Sequence, residues 1–299
     1  MNIPPKFEIV TPTDLENDVL ANLDDISISE MTQNERSFLN ALILRNKPKK
    51  ILELGVSAGG SAIIILNAIK EFKDSKLYSI DLLDVVWNNA NKKTGYFVDN
   101  YPSLKNKWEL FTGGLALNFI EEIGCGIDFC LIDTAHSNPG EILDVLMVLP
   151  FIEKDAIIVF HDIALHTCNL PNLKDAITNN LLMSSITGKK IIMDNTQSNN
   201  FPNIAAIKIN KDTKENIYEI FNLLLLKWSY LPSEEHEKQI ICHFAKYYDK
   251  YYIDYLSEVF KYQRKNMRKN LLYKLKGIVR ETLGLKNTIR LQKILGRIK

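Results

Sequence analysis

Short, largely apolar runs at residues 50–54, 77–80, 109–111, 128–132 and 156–160 predict strands. The last is wholly apolar, as a parallel strand covered on both faces should be. Between the runs, residues 61–72 and 140–151 repeat apolar positions at helical spacing. A capping box, Thr32-Gln33-Asn34-Glu35, opens a further helix that runs to about Arg45 and is broken by Pro48. Strand–turn–helix–strand is the opening unit of a doubly wound α/β sheet. Runs at 190–193 and 204–209, joined by a Ser/Asn-rich loop, predict an antiparallel hairpin that closes the sheet. Residues 84–107 interrupt the alternation with a polar stretch carrying Trp87, Tyr96 and Tyr101, which is either a lid or a surface excursion. From about Glu234 the chain reads as helical, with Phe244, Tyr248, Tyr252 and Tyr247, Tyr251, Tyr255 at i, i+4 spacing. The expected organisation is an N-terminal helical segment (1–48), a Rossmann-like α/β domain (49–230) and a helical extension (231–299).

Composition narrows the classes. The 299 residues suit one large domain or two modest ones, and 46% hydrophobic content supports a packed core. No apolar run reaches the ~18 residues of a membrane span, and the N-terminus has no secretory pattern. Cys125, Cys130, Cys168 and Cys242 form no metal or disulfide spacing, which fits a cytoplasmic protein. A net charge of +1 gives no global reason for nucleic-acid binding. That balance conceals an asymmetry: residues 261–299 hold 13 basic residues and one acid, leaving 24 basic against 35 acidic side chains elsewhere. Basic residues beside an apolar stripe suit either peripheral contact with an anionic membrane or packing on the body or on a second subunit.

The chemistry-bearing residues follow the strands. Glu53-Leu54-Gly55-Val56-Ser57-Ala58-Gly59-Gly60 is a glycine turn between strand and helix, where backbone can approach a ligand closely. Ser57 occupies the middle glycine position of a dinucleotide fingerprint. Glu53 would repel a pyrophosphate but suit an amino group, and Asp81 at the next strand end is placed for ribose hydroxyls. This set favours S-adenosylmethionine over NAD. Asp133-Thr134-Ala135-His136 and His161-Asp162 end the fourth and fifth strands and should line one crevice. Asp133, Asp162 and His161 are candidate ligands of a divalent ion, and His136 is a candidate general base. His166 reads as structural.

From residue 45 to about 210 the sequence resembles class I S-adenosylmethionine-dependent methyltransferases, through the E-L-G-x-x-x-G-G turn and Asp81. The resemblance implies that Glu53, Gly55, Ser57, Gly60, Asp81 and Gly113 hold the cofactor. Gly114 stands where many relatives carry an acid, so the adenine contact would fall to backbone. D-x-x-H followed by His-Asp resembles, more narrowly, metal-dependent sugar O-methyltransferases and the cephalosporin-hydroxylase-like group. That likeness implies a magnesium-type ion on Asp133 and Asp162, with His136 as base. His161 stands where those relatives usually carry a carboxylate. A sugar or glycan-precursor acceptor, as in surface polysaccharide synthesis, is the expectation. The alternatives are another small-molecule O-methyltransferase and a non-catalytic scaffold. The N/D-P-P-Y/F segment of nucleic-acid amino-methyltransferases is missing after Asp133, so no nucleic-acid partner is expected.

Overall fold

The computed structural model describes residues 7–15, 17–168, 170, 173–194 and 203–267. In chain order these form β1 (Phe7–Val10), α1 (Asn17–Leu23), α2 (Gln33–Asn46), β2 (Lys50–Leu54), α3 (Gly60–Ala68), β3 (Lys76–Asp81) and the strands β4 (Val85–Val86) and β5 (Asn89–Lys93). There follow β6 (Trp108–Thr112), α4 (Ile120–Ile123), β7 (Ile127–Ile132), α5 (Gly140–Val148), β8 (Ile152–His161), α6 (Thr178–Ser185), β9 (Lys189–Met193) and β10 (Ile204–Lys208). The helices α7 (Lys211–Glu215), α8 (Tyr218–Leu223) and α9 (Glu234–Tyr247) complete the first of two compact units, which ends at Tyr248.

The main sheet runs β6-β3-β2-β7-β8-β10-β9-β1. β2 pairs in parallel with β3 and β7, while β10 is antiparallel to both β8 and β9. The chain moves outward from β2 through β3 to β6, then returns to β7 on the other side of β2. That reversal opens a crevice at the carboxyl ends of β2 and β7, where open α/β sheets bind ligands. The helices follow from burial: Ile63, Ile64, Ile65 and Leu66 of α3 are all fully buried, because α3 is covered by α2 as well as by the sheet. Each such side chain contributes about 1.5–3 kcal/mol on leaving water.

Helix α2 starts as the capping box predicts. Thr32 Oγ1 accepts from Glu35 N at 3.4 Å, and Glu35 Oε2 accepts from Thr32 N at 2.5 Å. It stops at Lys47, whose φ of 47° leaves the helical region just before Pro48. Other expectations change. The N-terminal segment is not purely helical, since β1 adds a parallel edge strand to β9. The helix expected over 140–151 leaves α-geometry at Val148 for a 3-10 turn carrying Pro150. The C-terminal helix is broken: Tyr248 is extended at φ −122°, its hydroxyl donates to Leu146 O at 2.5 Å, and helix resumes over 250–267. Helix α9 is thus part of the first unit, and the division falls at 248/249 rather than at 230/231. In the second unit, Lys250–Asp254 and Lys261–Glu258 pairs lie along the helix. Most of the basic stretch, from residue 268 onward, lies outside the described residues. Among the described residues no helix is long and apolar enough to cross a membrane.

Candidate active site

Strand β2 delivers the chain into the glycine turn with Gly55 at φ +86°. A Cβ there would lie 1.8 Å from Asp133 O, so only glycine lets the ends of β2 and β7 approach. Asp81, at the end of β3, pins the turn. Its Oδ2 accepts from Val56 N at 2.9 Å and Ser57 N at 3.0 Å, and its Oδ1 accepts from Leu83 N at 2.8 Å. Of about four carboxylate lone pairs, three are used by these backbone N–H groups. A Cβ on Gly60 would meet Ile28 O at 2.4 Å, because residues 26–35 lie directly over the turn and line the cavity from above.

Glu53 departs from its expected place. It is fully buried and absent from the cavity lining. Its two oxygens accept from Ser61 Oγ at 2.5 Å and Ser79 Oγ at 2.6 Å. Burial pushes its carboxyl up to about 7, against the pull of the two hydroxyls. Glu53 therefore braces the strand beneath the turn. Gly113 also lies off the lining, with Gly114, Leu115 and Ala116 on it, whereas Gly55, Ser57, Gly60 and Asp81 all face the cavity.

The second half of the site sits at the ends of β7 and β8. His136 and Asp162 hold left-handed backbone at φ 52° and 58°. Such strain costs about 1–3 kcal/mol per residue and gathers at functional positions. His136 Nε2 lies 3.2 Å from Asp162 Oδ2 and 3.9 Å from Asp133 Oδ1. His161 is 2% exposed; its Nδ1 stands 3.2 Å from Asp133 Oδ2 and 3.5 Å from Asp162 Oδ2, and its Nε2 stands 3.8 Å from Glu35 Oε2. Burial alone would lower the pKa of this ring. The neighbouring Asp133, Asp162 and Glu35 outweigh it and hold His161 well above the usual histidine range. Burial would raise Asp162, but the close, charged ring of His161, with His136 and the hydrogen bond from Asn203, brings it down to about 2.

Asp133, His136 and Asp162 each offer a ligand atom, all within 4.8 Å of one another. This oxygen and imidazole set fits a divalent ion such as magnesium, manganese or zinc. His161, expected among the ligands, is instead engaged with three carboxylates, and His136 takes its place in the grouping.

Gly55, Ser57, Gly60, Asp81, Asp133, His136, His161 and Asp162 line one cavity of about 1120 Å³, against the ~300–1,000 Å³ of a typical small-molecule pocket. Sequence reasoning missed several of its walls. Glu30 reaches in from the segment before α2, and burial raises its carboxyl, helped by the charges of Asp133 and Asp162. Asn203 Nδ2 donates to Asp162 Oδ1 at 2.6 Å, and its Oδ1 accepts from Ala164 N at 2.8 Å, fixing the end of β8. Asp144 Oδ2 accepts from Thr134 Oγ1 at 2.7 Å, and burial pushes its carboxyl up to about 6. Of the stretch 84–107, Trp87 and Asn88 flank the cavity while Phe97, Val98 and Leu104 are buried, so it is part wall and part packing. His166 lies outside the lining.

Comparison with known proteins adds the following. Residues 52–163 match the family model of a methyltransferase domain. No protein of curated function matches the chain in sequence. Among solved structures, the adenosylhomocysteine-bound methyltransferase of Podospora anserina aligns with 67% of this chain and 91% of its own, at 12% identity and a TM-score of 0.51. A putative caffeoyl-CoA O-methyltransferase from Staphylococcus aureus aligns with 66% of this chain and 93% of its own, at 17% identity and a TM-score of 0.49. The tomaymycin-synthesis O-methyltransferase from Streptomyces achromogenes aligns with 66% and 92%, at 14% identity and a TM-score of 0.47. The Podospora structure shares the fold of this chain.

Proposed function

We propose, from the match of residues 52–163 to a methyltransferase domain, that the protein moves a methyl group from S-adenosylmethionine to a hydroxyl of a sugar or related polyol. The observation that carries this reading is the convergence of Asp133, His136 and Asp162 on the same cavity as the glycine turn. An alcohol must lose its proton to attack a sulfonium methyl, and an imidazole within a carboxylate cluster is suited to take it. Gly55, Ser57, Gly60 and Asp81 would hold the cofactor, with Leu82 beside Asp81 at the adenosine end. Asp133 and Asp162 would hold a divalent ion, which would lower the pKa of the acceptor hydroxyl. Asp133 and Asp162 would then orient the acceptor hydroxyls, and His136 would receive the proton. Cavity-facing Glu30, Thr134 and Asn203 offer partners for further hydroxyls, and Trp87, 65% exposed, offers a flat face to a ring. A surface-polysaccharide precursor is one such acceptor.

The test supplies methyl-tritiated S-adenosylmethionine with panels of methyl glycosides and of catechols, with and without EDTA and added magnesium. The expected result is label on a glycoside, reduced by EDTA and abolished in His136→Ala. Transfer to catechols alone would replace the sugar by another small-molecule acceptor. Cofactor binding with no transfer to either panel would favour a non-catalytic scaffold.

A further inference from the structure

Glu141 belongs to no motif and does not line the cavity, yet it is fully buried directly behind His136. It lies in the first turn of α5, is 0% exposed and is absent from the cavity lining. Its Oε1 accepts from the backbone N–H of His136 and stands 3.6 Å from His136 Nδ1. Its Oε2 has no hydrogen-bond partner, and neither has His136 Nδ1, although both atoms are buried. Orphaned buried polar atoms are costly. Here two lie on facing groups, one needing a donor and the other able to supply it. On the opposite edge of the ring, Nε2 faces Asp162 and Asp133, where the acceptor would lie.

We propose that Glu141 is a positioning residue for His136: it takes the Nδ1–H of the neutral ring and so presents the Nε2 lone pair to the acceptor hydroxyl. Which imidazole nitrogen carries the proton is set by the partner of the other one, and a buried carboxylate on Nδ1 selects that tautomer. The same carboxylate holds the backbone of His136 in its left-handed turn, so one side chain fixes both the position and the tautomer of the base. This rests on reading His136 as the base, but it is tested without any acceptor.

The experiment is a long-range 1H–15N correlation spectrum of protein labelled in its five histidines, in alkaline buffer, with His136→Gln identifying the resonance. The wild type should show His136 protonated at Nδ1 and bare at Nε2. Glu141→Leu should shift the ring mainly to Nε2–H, and Glu141→Gln, which keeps an acceptor oxygen, should recover part of the Nδ1–H form. Adenosylhomocysteine affinity serves as the control for folding. If Glu141→Leu does not fold, the contrast between wild type and Glu141→Gln remains. An Nε2–H ring in the wild type, or a tautomer indifferent to both substitutions, would overturn the proposal. An Nδ1–H ring in a protein that methylates no hydroxyl would overturn the proposed function and leave the pairing standing.

Discussion

The two halves of the cavity are built on opposite terms. At the glycine turn, the polar groups are tied to one another: Asp81 to three backbone N–H groups, Glu53 to two serine hydroxyls, and Ser79 in turn to Trp108 Nε1 at 2.9 Å. At the ends of β7 and β8, His136 and Asp162 are strained, and buried nitrogens of His136 and His161 lack hydrogen bonds. The first half is finished as protein, while the second keeps bonding capacity for something else. Substitutions in the first should therefore damage stability and cofactor binding together, and substitutions in the second should damage chemistry alone.

The largest effect tests the first half. Gly55→Ala puts a Cβ 1.8 Å from Asp133 O in a left-handed conformation, so a loss of about 3 kcal/mol or more is expected in urea unfolding, with loss of adenosylhomocysteine binding. A stable variant that still binds would show that the strand ends separate freely. The matching break in the second half is His136→Ala. Turnover should fall by ~10²–10⁴-fold, the usual contribution of a general base, while calorimetric affinity for adenosylhomocysteine stays unchanged. A parallel loss of affinity would merge the two halves.

How legible each half was follows from where its residues lie in the chain. Gly55, Ser57, Gly60 and Asp81 are all local to one βαβ unit, so spacing alone places them. Asp133, His136, His161 and Asp162 were readable because each follows an apolar strand. Glu30 and Asn203 come from remote segments, with no local signal that they would meet Asp162. Glu53 was recognised but misplaced, since spacing does not reveal which way a strand-end carboxylate turns. Strand β1 was missed because four residues next to prolines carry too little periodicity, and its partner β9 is some 180 residues away. The tyrosine spacing across 244–255 misled because it runs in phase through the break at Tyr248, and Asp249, a favoured N-cap type, was the unread sign of a new helix.

A smaller effect sharpens the comparison through pH. Glu53 has its folded pKa raised to about 7 from an ordinary value of 4.5. The folded state therefore binds more protons than the unfolded state between those values, and stability falls as pH rises through that window. A shift of this size corresponds to roughly 3 kcal/mol. The apo protein should lose part of its unfolding free energy between pH ~5 and ~8 through this group, and Glu53→Gln should flatten that slope. An equal slope in the variant would mean that the two serine hydroxyls already compensate the buried charge.

The smallest effect separates two roles of one motif. The Thr32–Glu35 capping box was legible because both partners sit at the start of α2. Glu35 has a second contact that spacing cannot show, His161 Nε2 at 3.8 Å. Although burial opposes it, His161 holds the Glu35 carboxyl below its ordinary range. Thr32→Ala removes only the cap, so a loss of about 1 kcal/mol is expected with unchanged turnover. Glu35→Gln keeps a side chain able to accept from Thr32 N but removes the charge facing His161. It should cost little more in stability than Thr32→Ala yet lower turnover, because His161 also abuts Asp133 and Asp162. Comparing the two variants by urea unfolding and by methyl transfer assigns each role. Equal turnover in both would confine Glu35 to the helix end and leave His161 dependent on the two aspartates alone.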